Sequence, residues 1–306
     1  MDAQGDSGAV FIFKFGGAFT TGAGSRVILI NGAQASNVYW IAEGEIAMAA
    51  GTSMQGTMIA NNGAISIGDG GALVGRMLST LGAVSIYGSR ISLTPFPFLD
   101  EGETPDLGTV ADFAIFTSGG LVSNTAASNI TGDIGTDVGD VTGFGSAVVN
   151  GSIEISNLVT AQATVDLDAA YVLLYFTPPT VTDHAAVFGL GETLTAGVYS
   201  RADAGSVSGT LILDGQGNQN AVFIFKFGGA LTTGDGTTVS LINGASACNV
   251  FWVSEGATSM AANTTMKGTM IANNGAIDMG DGGDLEGRML STLGAASVYQ
   301  DSILHP

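Results

Sequence analysis

Short runs of alternating large and small residues, broken every few positions by Gly-Asp or Asn-Gly, fill most of the chain and predict brief β-strands joined by tight turns. Two kinds of strand recur. The first, seen in FIFKF, VFWVS, TMIAN and RMLST, is apolar on both parities: Phe225, Trp252, Ile271 and Leu290 fall on one, Ile224, Phe251, Met270 and Met289 on the other. Such a strand must be covered on both faces. The second kind, in ALTT, ATSM, AIDM and AASV, is one-sided. Leu231, Met260, Ile277, Met279 and Val298 take the inward parity, leaving Ala230/Thr232, Ala257/Ser259, Ala276/Asp278 and Ala295/Ser297 to face outward as two ladders of short side chains.

One segment breaks the strand pattern. SNLVTAQATVDLDAAYVLLYF, Ser156–Phe176, spaces Leu158, Ala161, Val165, Leu167, Ala169, Val172, Leu173 and Phe176 at three-to-four intervals; Ser156 or Asn157 can cap its start, and Pro178-Pro179 stops it. The expected place for this helix is the outer apolar face of the first kind of strand.

The elements are duplicated. GTMIANNGAI stands at Gly56–Ile65 and again, unchanged, at Gly268–Ile277, and Asp2–Tyr87 aligns with Asp214–Tyr299 without a gap. Nothing before Asp2 corresponds to Asp106–Leu213, so residues 1–92 read as the C-terminal half of a module and residues 107–306 as a complete one. Leu93–Asp106, with three of the six prolines and four acids, reads as a short stiff linker. Within each copy, steps of roughly twenty residues mark a stacked β-coil, or solenoid.

Composition narrows the chemistry. Eight basic against 27 acidic residues give a net charge of −19, which disfavours nucleic acid and anionic membranes. No apolar run is long enough for a membrane span, and no leader-like segment opens the sequence; any signal peptide is expected upstream of Met1. Cys248, alone in its type and set in ACNVFWV, reads as a buried inert thiol. His184 reads as a solvated loop residue and His305 lies beside the C-terminus, so no catalytic pairing is visible, and no nucleotide, zinc-protease or serine-hydrolase motif occurs. The chain reads as a non-enzyme without cofactor.

Asp281, Asp284 and Glu286 in GDGGDLEG suggest calcium, but the first copy reads GDGGALVG, and a glycine–aspartate turn is the expected role. Trp40 and Trp252 are expected in the core or beneath the helix, and Lys14 and Lys226 to lay their stems on apolar surface with the ammonium in water.

LGTVADFAIFTSGGLVSN…SNITGDIGTDVG at Leu107–Gly139, then AGVYS, AVFIFKFGGALTT, LINGASACNVFWVSEG and the GRMLSTLGA coil, resemble the DUF3494-type ice-binding proteins of bacteria, fungi and algae. The resemblance implies a mainly β fold: a discontinuous three-faced β-helix with one long α-helix along its flank, here with an additional half β-helix at the N-terminus. It also implies secretion or surface display, no cofactor, and a flat face that meets an ice crystal surface or its ordered water. Ice-active relatives carry T-A-x-T-like steps; here the steps read G-A-L-T, G-A-T-S, G-A-I-D and G-A-A-S, with Asp278 charged. The expected face is Ala230, Thr232, Ala257, Ser259, Ala276, Ala295 and Ser297, extended by Thr117, Ser118 and Ser123. The rival expectation is a structural or adhesive tandem repeat of an extracellular stalk or filament, its modules binding one another.

Overall fold

A computed structural model describes residues 1–95, 99, 103–182 and 184–306. Of the expected linker Leu93–Asp106, positions 96–98 and 100–102 lie outside the described residues. The chain forms two compact units, unit 1 over residues 1–96 and unit 2 over 97–306.

In unit 2, strands pair in parallel with the coil before and after, never with their sequence neighbours. Each full coil contributes three runs, as in Phe223–Phe227, Leu231–Thr233 and Thr238–Ile242. Where two runs merge, as in Thr265–Ala272, a glycine makes the corner: Gly268 has φ of 107°, and a Cβ there would stand 2.4 Å from the Val250 carbonyl oxygen. The duplicated GTMIANNGAI is thus one corner, one strand, one Asn-Gly turn and the start of the next strand.

The stack is discontinuous. Phe113–Thr117 lies beside Asp284–Ser291, with Ile115 opposite Met289 and Thr117 opposite Ser291, and Val122–Thr125 lies beside Ala296–Tyr299. The earliest coils of the unit therefore close the end formed by the latest. The helix then precedes Val187–Gly189, which begins the other end of the stack.

The parity expected for the first kind of strand is corrected by the register. Phe225, Trp252, Met270 and Met289 stand in one row and face the core; Lys226, Val253, Ile271 and Leu290 form the neighbouring outer row. Strand partners are offset by one residue relative to the turns because Asn274, at φ of 56°, takes up an extra position. Trp252 stacks on Phe225 at 4.2 Å, and its indole nitrogen donates to the Lys267 carbonyl at 2.8 Å.

The one α-helix among the described residues, Leu158–Phe176, covers that outer row. Asn157 caps it, Oδ1 accepting from the Val159 and Thr160 amides, while Thr160 Oγ1 accepts from the Asn157 amide. Its buried stripe is Thr160, Ala163, Leu167, Ala170, Tyr171, Val172, Leu174 and Tyr175, of which only Leu167 and Val172 belong to the stripe expected; Leu158 is 90% and Val165 61% exposed. Polar anchors set the phase. Tyr171 donates to Glu255, Asn273 donates to Glu255 at 3.1 Å, and Lys226 reaches the carbonyls of Tyr175 (3.1 Å) and Thr177 at the helix C-terminus. Lys226 is therefore fully buried rather than reaching water.

Unit 1 repeats the coils in a five-stranded sheet, Phe11–Phe15 to Arg90–Ser92, and a four-stranded sheet, Phe19–Thr20 to Val84–Ile86. Its core holds Trp40, stacked on Phe13 at 4.4 Å, with Ile46, Met58 and Ile65 fully buried.

Candidate functional site

The second kind of strand builds an eight-stranded parallel sheet in unit 2. One residue from each strand projects outward in an unbroken row: Thr142, Ser123, Ser297, Asp278, Ser259, Thr232, Ser206 and Val187. Their inward neighbours Val122, Ala296, Ile277, Thr258, Leu231 and Gly205 are buried, which fixes the row by simple alternation.

A second row runs beside it. The carbonyls of Ala230, Ala257, Ala276 and Ala295 accept in turn from Gly205, Leu231, Thr258 and Ile277, and the Leu121 carbonyl accepts from Ala296. These alanines stack one above another, half-exposed, and Leu121 extends the column at an exposed position. The turn before each is packed backbone on backbone, which demands glycine there: a Cβ on Gly275 would lie 2.4 Å from the Ala257 nitrogen.

The row's hydroxyls brace one another. Ser123 and Ser297 Oγ are 3.1 Å apart, and Ser259 Oγ donates to Asp278 Oδ2 at 2.7 Å. Each contact bridges two adjacent strands, so these rotors are held rather than free. Three residues depart from the pattern: Asp278 brings a carboxylate, Val187 ends the row with an exposed apolar side chain, and Tyr299, two positions beyond Ser297 on the same parity, is exposed.

Not every expected residue joins the rows. Thr117 is buried, donating Oγ1 to the Gly294 carbonyl at 2.6 Å, and so leaves the candidate surface. Ser118 sits at the bend after Phe113–Thr117, its amide on the Ser291 carbonyl, outside the ladder. Ser206 and Thr142 belong to the row but were missed. SVSG and DVTG at these places do carry the alternating small-residue signal, without the leading alanine that marked the others.

His184 and Cys248 also differ from expectation. His184 stacks flat on Phe188 at 3.9 Å with Nε2 3.0 Å from Glu192, and His305 lies against Arg288 at 3.1 Å. Cys248 is exposed, on the short helical turn Ala247–Asn249. Among the described residues no three His, Cys, Asp or Glu side chains converge as metal ligands; Glu286 instead pairs with Lys267 at 2.7 Å.

The family model described as ice-binding-like matches residues 1–92 and 116–304. The chain belongs to the ice-binding-like family. Among curated relatives, an ice-binding protein of Nostoc sp. (strain HG1) is 36% identical over 199 residues, 64% of this chain and 72% of that protein. Among solved structures, an ice-binding protein of an Antarctic Flavobacteriaceae bacterium aligns with the whole of this chain and 74% of its own, at 41% identity and a TM-score of 0.64. An ice-binding protein of Antarctomyces psychrotrophicus aligns over 66% of this chain and 98% of its own, at 30% identity and a TM-score of 0.63. In this ice-binding-like chain, the eight-stranded sheet is a regular, exposed surface that the helix leaves uncovered.

Proposed function

We propose that the chain binds ice through the eight-stranded face of unit 2, using Ala230, Thr232, Ala257, Ser259, Ala276, Ala295, Ser297 and Ser123, with Ser206 and Thr142 continuing the row. The observation that carries the reading is the unbroken row of short outward side chains on a parallel sheet, in a chain of the ice-binding-like family. Strands about 4.8 Å apart repeat the same methyl and hydroxyl groups at a fixed interval. Water held on such a lattice is ordered at little entropic penalty, because the rigid sheet has already fixed the groups that hold it. The ordered layer merges with the crystal, and affinity accumulates over many weak contacts. No single residue is a catalyst or ligand.

Ice forms outside cells, so the chain acts in an extracellular setting; no described helix is long and apolar enough to cross a membrane. The stalk-or-filament reading has no comparable support, since the named relatives above are ice-binding proteins.

Thermal hysteresis and crystal shaping test the proposal on the full chain. Thr232→Tyr and Ser259→Tyr each raise a ring above the row and should remove most hysteresis while leaving thermal unfolding unchanged. Hysteresis undiminished in both variants sinks this face as the ice contact.

A further inference from the structure

Unit 1 leaves exposed the outer strand face that in unit 2 lies under the helix. Position by position it repeats the surface that the helix covers in unit 2, with Ile12, Ile41, Ile59 and Leu78 standing for Ile224, Val253, Ile271 and Leu290. The residues are nearly the same; their exposure is not. Ile12 is 54% and Leu78 49% exposed, against 1% for Ile224 and 0% for Leu290. Exposed apolar side chains in such a row mark an interaction surface.

The polar anchors are retained too. Lys14, Glu43 and Asn61 correspond to Lys226, Glu255 and Asn273, the groups that hold the helix C-terminus and Tyr171. Asn61 already donates to Glu43 at 2.7 Å, as Asn273 does to Glu255. Arg76 is exposed, whereas its counterpart Arg288 is buried and donates to the Ala111 carbonyl in the segment that leads into Phe113–Thr117. At the lower end, Val84, Ile86 and Ile91 are exposed, whereas Ala296, Val298 and Ile303 are buried beside Val122–Thr125 and Asn129–Thr131.

We propose that this flank and lower end of unit 1 seat a half-module of the build of residues 106–213, joined to the amino end of unit 1, whose helix lies on Ile12, Ile41, Ile59 and Leu78 with its last carbonyls on Lys14 and a tyrosine on Glu43. The join is geometrically natural, because Asp2 aligns without a gap on Asp214, which directly follows that block in unit 2. The quarter of the Flavobacteriaceae chain left unmatched is comparable in length to Asp106–Leu213. The inference does not depend on ice binding.

The test copies residues 106–213 in front of Asp2 in the otherwise full chain. Both chains carry Cys248→Ser, with Ile12→Cys or, in a second pair, Leu78→Cys as a thiol probe. Seating of the half-module slows thiol labelling by at least about a hundredfold in the extended chain and roughly doubles the helical circular dichroism signal, and Lys14→Met in that chain restores much of the labelling. Equal labelling in the two chains, or no gain in helix, overturns the proposal. Labelling of the original chain that slows as concentration rises, together with a dimer by light scattering, also overturns it, because the occupant is then a second copy.

Discussion

The chain contains its own control for the role of a buried lysine. Lys14 and Lys226 occupy the same place in two copies of VFIFKF, one exposed and one buried under the helix end. Replacing Lys226 by Ala removes the donor from the Tyr175 and Thr177 carbonyls. An unsatisfied buried acceptor costs about 1–3 kcal/mol, and the lost methylenes about 0.8 kcal/mol each. Against this stands relief from keeping an ammonium out of water. The net expected loss for Lys226→Ala is about 3–5 kcal/mol, and for Lys226→Met, which keeps the stem, about 1–3 kcal/mol. Lys14→Ala should stay within about 0.5 kcal/mol. Each unit holds a single tryptophan, Trp40 in unit 1 and Trp252 in unit 2, so denaturant unfolding followed by fluorescence in a Trp40→Phe background reports unit 2, and in a Trp252→Phe background unit 1. Equal shifts for Lys226→Ala and Lys14→Ala, or a loss under about 1 kcal/mol for Lys226→Ala, would refute the reasoning that this amine holds the helix end.

Asp278→Thr takes the one carboxylate out of the outward row, and should raise thermal hysteresis at fixed concentration by a factor of about two or more, because a charge resists dehydration and lattice order; a fall in hysteresis would contradict the face. Gly268→Ala forces a side chain into a left-handed corner against the Val250 carbonyl, and calorimetry should show unit 2 destabilised by about 3 kcal/mol or more. Asp301 is buried, accepts from the Gly283 amide at 2.9 Å and the Tyr299 amide at 2.5 Å, and burial pushes its pKa up from 3.8 to about 6. A raised carboxyl pKa favours the protonated folded state, so its stabilising contribution is full below 3.8 and is lost as pH rises through about 6. After solvent screening the loss is about 1–2 kcal/mol, and Asp301→Asn should flatten that part of the stability–pH curve; a variant with the same slope as the parent assigns the slope elsewhere.

The duplication, the coil repeat and the small-residue rows were legible because they depend on period and residue size, which sequence carries directly. Ala230, Ala257, Ala276 and Ala295 do stack, and Thr232, Ser259 and Ser297 do share one row. What failed depends on register and on distant partners. The two-sided strands were mispaired because one extra residue at Asn274 is invisible to periodicity when both parities are apolar. The helix phase was misjudged because Tyr171 turns inward to Glu255, 84 positions away, with the Tyr175 ring stacked beside it, leaving Leu158 and Val165 outside. Thr117 looked like a surface threonine, yet its hydroxyl bonds to the Gly294 carbonyl, 177 positions away. Lys226 is satisfied in the same long-range manner, by the helix end, whereas His184 meets Glu192 only eight positions on, across a loop that the polar composition of TDHAA does not reveal.

That same closure of the earliest strands onto the latest governs how the molecule is made. Thr117 cannot meet Gly294 until 177 further residues exist, a wait of roughly 10–35 s at a synthesis rate of about 5–20 residues per second. Throughout that interval Ile115 and Phe116 have Asp133–Thr136 on one edge but nothing on the edge that Asp284–Ser291 will fill, so the nascent polypeptide emerges with that edge bare and its end of the stack cannot close vectorially. Loss of even the final coil to premature termination leaves that edge permanently unpaired, which makes the carboxyl end the place where a small truncation turns a folded product into an aggregate.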